Sequence, residues 1–92
     1  MANDLTLVDR LRTEDGIEVR TAGDESLVHN PATGKIHVLN GTAAHILQRC
    51  DGATTLAAIV DDLAAATGAS HDRIVADVVA LCYDFREKGL VV

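Results

Sequence analysis

Between residues 17 and 39 polar and apolar side chains alternate in short runs, and from residue 42 onward apolar ones recur at spacings of three and four. At Ile17-Glu18-Val19-Arg20 every second residue is apolar, the pattern of a strand that buries one face and wets the other. Ser26-Leu27-Val28-His29 and Lys35-Ile36-His37-Val38-Leu39 read as a second and a third strand. Turn residues separate them. Thr21-Ala22-Gly23-Asp24-Glu25 makes the first reversal. Asn30-Pro31-Ala32-Thr33-Gly34 makes the second, where proline presets one dihedral and glycine accepts a positive φ. Three short strands with short connections predict an antiparallel meander.

Helical spacing takes over after Asn40, whose amide can accept an orphaned N–H of a first helix over 42–50, stopped by Asp51-Gly52. Thr55 caps a second helix over 56–67, with Leu56, Ile59, Val60 and Leu63 on one stripe and Gly68 at its end. Ser70 caps the third and longest helix, which carries Asp72 in its first turn and runs to Lys88-Gly89. Ile74, Val78, Leu81, Cys82 and Phe85 form its core stripe, and Val75 and Val79 widen the apolar surface on one side. Leu90-Val91-Val92 is expected to lie back on the sheet. The fold predicted is α+β, a three-stranded antiparallel sheet followed by three helices, shaped like a winged helix-turn-helix. Residues 1–15, which mix charges with isolated leucines, read as an N-terminal arm, loose or docked, ahead of a domain over 16–92.

Composition narrows the functions open to such a chain. Ninety-two residues make one domain, which excludes a two-domain enzyme. The core must be aliphatic, because Tyr83 and Phe85 are the only aromatics. Fourteen acids against eight Lys and Arg give a formal charge of -6, which repels nucleic acid and anionic lipid. From Asn40 to the end there are seven acids and four bases, so the DNA binding that a winged helix suggests by shape is disfavoured. No apolar run approaches the roughly 20 residues of a membrane span, and Met1-Ala2-Asn3-Asp4 lacks a signal-peptide start, so a cytoplasmic location is expected.

Candidate chemistry is sparse. His29, His37, His45 and His71 show no pair at metal-ligand spacing, although His29 and His37 sit on neighbouring strands; no metal or other cofactor is expected. Cys50 and Cys82 read as buried thiols with no adjacent base to activate them. The seven glycines stand singly at element ends, with no phosphate loop among them. No catalytic residue is expected. A three-stranded meander does leave unpaired edges, and an open edge beside an apolar helix flank is the geometry for adding a foreign strand.

The ordered series Val38-Leu39-Asn40-Gly41-Thr42-Ala43-Ala44, Cys50-Asp51-Gly52, Thr55-Leu56-Ala57-Ala58-Ile59-Val60, Asp77-Val78 and Lys88-Gly89-Leu90-Val91 resembles the PqqD family and its relatives, the recognition elements of ribosomally made, modified peptides. The resemblance spans residues 16–92. It implies a non-catalytic chaperone that docks the leader of a precursor peptide as an added strand and presents it to a modifying enzyme, a radical-SAM protein in pyrroloquinoline quinone biosynthesis. Asn30-Pro31-Ala32-Thr33-Gly34-Lys35 looks more like the broader family, including the stand-alone leader binders of lasso-peptide pathways, which work with a leader peptidase. The docking strand maps onto Lys35, Ile36, His37, Val38 and Leu39. On geometric grounds Val75, Val79, Cys82 and Arg86 are taken as the helix flank facing it. Lys35 and Arg86 would complement acidic leaders, and a homodimer through a self-paired edge is the competing use of that edge.

Overall fold

The structure is a computed structural model, and it describes residues 5–92; residues 1–4, on which the reading of the N-terminus partly rested, lie outside the described residues. Its elements run β1 (Glu18–Ala22), β2 (Glu25–Asn30), β3 (Lys35–Asn40), α1 (Gly41–Gln48), α2 (Leu56–Thr67) and α3 (His71–Glu87). The α+β class and the order of three strands followed by three helices are those the sequence predicts.

The strands pair antiparallel in the order β1-β2-β3, so β1 and β3 are the edges. Pairing Ser26 with Leu39 and Val28 with His37 puts these four side chains on the inner face, where Ser26, Val28 and Leu39 are buried. Leu27 and His29 pair with Val38 and Ile36 on the outer face. The register therefore places His29 and His37 on opposite faces of the sheet, which removes the one histidine pairing that strand adjacency suggested.

The β2–β3 reversal is pinned by Asn30. Its carbonyl accepts from Gly34 N–H at 2.8 Å, with Gly34 at φ +73°, and its Oδ1 accepts from Ala32 N–H at 3.0 Å. The same side chain donates through Nδ2 to the Gly89 carbonyl at 3.2 Å, tying the hairpin to the end of α3.

All three expected N-caps close their helices. Asn40 accepts from Ala43 N–H at 2.8 Å, Thr55 from Ala58 at 3.1 Å and Ser70 from Arg73 at 3.4 Å. Helix α1 is the one seated against the sheet, and α3 packs on α1 and α2. Phe85, Ile46, Leu47, Leu56, Ile59, Leu90, Val28, Val60, Val78 and Cys82 are fully buried between these layers.

Residues 5–14 form part of this packing. Leu5 and Leu11 are buried, and the carbonyls of Leu7 and Asp9 accept from Ala57 and Leu56 N–H at 2.9 and 3.0 Å. These are first-turn amides of α2 that lack intrahelical partners. The C-terminal residues pair with the same segment: Arg12 and Val92 exchange backbone hydrogen bonds at 3.2 and 2.8 Å, and Val91 bridges Thr13. This corrects the expectation that the final residues rest on the sheet. Their free N–H and C=O groups meet an equally unpaired stretch of backbone nearer at hand.

Asp51 shapes the α1–α2 connection. Its Oδ1 accepts from Ala53 and Thr54 N–H at 2.9 and 2.8 Å, and these bonds, with the Thr54 hydroxyl on Oδ2, hold its carboxyl below the usual carboxylate range. A depressed folded-state pKa contributes stability that is fully present above the unfolded value, about 4, and is lost as pH falls through the folded value. Thermal melts should therefore show Asp51→Ala below the parent protein at pH 7, with the gap closing below about pH 4. A gap that widened in acid would contradict this.

Candidate peptide-binding edge

Strand β3 is an edge with one side unpaired, and its outward side chains are strongly exposed: Ile36 63% and Val38 57%, with Leu27 beside them at 38%. Isolated apolar residues on a surface are ordinary, but three adjoining ones on one sheet face beside an open edge mark an interaction surface. Lys35, at the start of β3, is exposed and adds a positive charge at that end.

The inner side of the edge carries Leu39 and His37. Leu39 is buried and belongs to the core. His37 is half-buried, and among the described residues its Nε2 is the only buried side-chain nitrogen or oxygen without a hydrogen-bond partner. A buried polar atom in that state costs about 1–3 kcal/mol, which packing for stability alone would avoid.

Helix α3 packs on α1 and α2, and two points along it lie near the two ends of β3. Its first turns share a hollow with Thr42 and Ile46, just beyond the end of β3. Its far end is fixed by Asn30, whose register partner is Lys35. At about 100° per residue, the α3 side chains that join these two points are Asp77, Leu81, Asp84 and Lys88, at spacings of four, three and four. Leu81 is half-buried against the core at the middle of that line. Asp84 holds Lys88 Nζ at 2.8 Å, and Asp77 stands 4.0 Å from Arg73.

The helix flank chosen from sequence is Val75, Val79, Cys82 and Arg86. Cys82 is completely buried and presents nothing to a ligand. Val75, Val79 and Arg86 are half-buried and lie across the Val78–Cys82–Phe85 core line from Leu81. Tyr83, next to Val79 in helical phase, accepts through its hydroxyl from Leu5 N–H at 2.8 Å, so that flank turns toward the N-terminal segment. Leu81, on the opposite side of the core line, is partly buried against the core, as the apolar spacing expects.

Cys50 and Cys82 are both buried and perturb one another: their hydrogen bond, together with burial, pushes the Cys50 thiol far above its ordinary range, while the same hydrogen bond holds the Cys82 thiol below its own. Cys50 Sγ donates to the Ile46 carbonyl at 3.4 Å. Among the described residues no group of three His, Cys, Asp or Glu side chains could hold a metal ion. Likewise, no helix among them is long and apolar enough to cross a membrane.

Comparison with known proteins places this geometry. The family model described as coenzyme PQQ synthesis protein D matches residues 25–91, from the start of β2 to the last bridge. A PqqA binding protein of Rhodopseudomonas palustris strain HaA2 is 47% identical over 49 residues, covering 53% of this chain and 48% of that protein. Its counterpart in strain BisB5 is 45% identical over the same length and coverage. The match thus spans about half the length of these curated relatives. Among solved structures, a lasso peptide synthetase B1 complexed with its leader peptide superposes with a TM-score of 0.81 at 23% identity, over 91% of this chain and 99% of that one. TbiB1 in complex with the TbiA(beta) leader peptide gives 0.79 at 18% identity, over 87% and 93%. At those identities the agreement is in the fold.

Proposed function

The chain belongs to the PqqD family, and on that premise we propose that it binds the leader of a ribosomally made precursor peptide as a fourth strand on β3 and hands it to a modifying enzyme. The observation that carries this reading is the unpaired β3 edge, with exposed Ile36 and Val38 on its outer face. An added strand takes its affinity from backbone hydrogen bonds. Its alternate side chains are then read by two different surfaces, the outer apolar face and the inner one.

The protein is non-catalytic in this reading, cytoplasmic, and works without a cofactor. The enzyme it serves is of the radical-SAM type or a leader peptidase. The relatives named for PqqA binding support the first, and the fold shared with lasso peptide B1 proteins supports the second. Binding of nucleic acid has no support in a chain of charge -6.

The test is a titration of the 15N-labelled chain with a synthetic leader from the precursor gene nearest its own. The amides of Lys35 to Asn40 should shift most, with those around Leu81 next. Shifts confined to β1 or to the loop after α1 would overturn the assignment of the edge.

A further inference from the structure

Beyond the end of β3 lies a hollow of about 300 Å³, lined by Thr42 and Ile46 of α1, Leu63 and Thr67 of α2, Ala69 of the turn that follows, and Arg73, Ile74 and Asp77 of α3. Its floor is aliphatic, since Ile46, Leu63 and Ile74 are all buried core residues. The Thr67 hydroxyl is engaged locally: it donates to the Leu63 carbonyl at 2.7 Å and accepts from Ala69 N–H at 3.2 Å. Arg73 and Asp77 are mostly exposed and stand 4.0 Å apart, so the charges sit where water reaches them, above an apolar base.

We propose that this hollow is a subsite for one aliphatic side chain of the same peptide that pairs with β3, carried by a residue just outside the six-residue pairing. The proposal rests on the strand-addition reading and adds a second point of attachment to it. Three features select this occupant. First, the hollow continues the edge: Thr42 stands two residues beyond Asn40, where β3 ends, and Asp77 belongs both to the hollow and to the α3 stripe that joins the points near the two ends of β3. An extended chain rises about 3.3 Å per residue, so the first to third residue past the paired segment reaches its mouth.

Second, the floor is made of branched aliphatic side chains. It would leave a polar group unpaired, and the paired charges of Arg73 and Asp77 at the rim favour neither sign of ligand charge. Third, the volume lies at the low end of the range for ligand pockets, room for an aliphatic side chain together with the stretch of peptide backbone that carries it. One aliphatic anchor set beside a run of backbone hydrogen bonds would fix the register of the added strand, which repeating main-chain bonds alone leave free to slip by two residues.

The experiment uses the full 92-residue chain and peptides recovered by panning a random dodecapeptide phage library on it. Amide shifts of β3 and methyl shifts of Ile46, Leu63 and Ile74 are followed in one titration. Shifts in both sets are expected. Shifts in β3 amides without the methyls overturn the subsite and leave strand addition standing, and methyl shifts without β3 amides overturn strand addition instead. Recovery of no peptide, or no shift in either set, overturns both.

Ala69 is exposed in the α2–α3 turn, so Ala69→Phe fills the hollow from outside the core. It should weaken binding about tenfold. Replacing the aliphatic residue of the peptide by alanine should cost about the same in the parent protein and nothing further in Ala69→Phe. An unchanged affinity in Ala69→Phe, with circular dichroism matching the parent, would remove the proposal.

Discussion

Truncating Phe85 to alanine is expected to cost about 3–5 kcal/mol, the loss typical of emptying a buried aromatic site. Phe85 is fully buried on α3, and it is the only phenylalanine in a core otherwise built from aliphatic side chains and the two cysteines. Aliphatic neighbours fixed on three helices and a sheet cannot all shift inward to refill an aromatic-sized space. A domain of this length has about 5–14 kcal/mol of stability in total, so the variant would sit near the edge of folding. Its melting midpoint should fall by more than about 15 °C, whereas Phe85→Leu, which keeps most of the volume, should lose less than half as much. A drop below about 1 kcal/mol for Phe85→Ala in urea titration would mean that the three helices do not share the core described here.

Much of this architecture was legible in the sequence because the decisive signals are local. The three N-caps, the Asn30 to Gly34 reversal and the alternation in β2 and β3 each depend on residues within five positions of one another. Strand β1 was placed one residue early at its start and two short at its end, since Thr21 and Ala22 carry no alternation and are extended only because Ser26 and Glu25 pair with them. The docking of residues 5–14 had only a weak side-chain signature, the isolated Leu5 and Leu11 that it buries, because the rest of what holds it is the carbonyls of Leu7, Asp9 and Leu11. A backbone acceptor looks the same at every residue.

The β3 edge was legible for a related reason: the run Lys35 to Leu39 marks a strand, and its place at the end of a meander leaves one side open. The helix flank opposite was not. Sequence shows that α3 is apolar more than halfway round but not which side of the core line meets the sheet. In the strand-addition reading two distant tethers decide that, Asn30 at one end and the α1 hollow at the other. The stripe they select reads Asp77, Leu81, Asp84, Lys88, three charges and one leucine, and resembles a solvated face until the sheet edge is set beside it.

That choice of flank yields the sharpest functional contrast. In the strand-addition reading, Leu81→Gln should weaken peptide binding about tenfold, equivalent to about 1.4 kcal/mol, because it replaces the one apolar contact at the middle of the inner wall. Val79→Gln, two residues away and equally half-buried, should change affinity less than twofold, since its side chain turns toward the side held by Leu5 and Tyr83. Both substitutions remove a partly buried aliphatic group from the same helix, but Leu81 also packs against the core, so its larger loss of stability has to be measured and set apart. Measuring both by fluorescence anisotropy, with melting midpoints alongside, separates contact from stability. If Val79→Gln proved the more damaging at equal stability, the peptide would lie along the flank of Val75, Val79 and Arg86, and the assignment of α3 to the edge would have to be reversed.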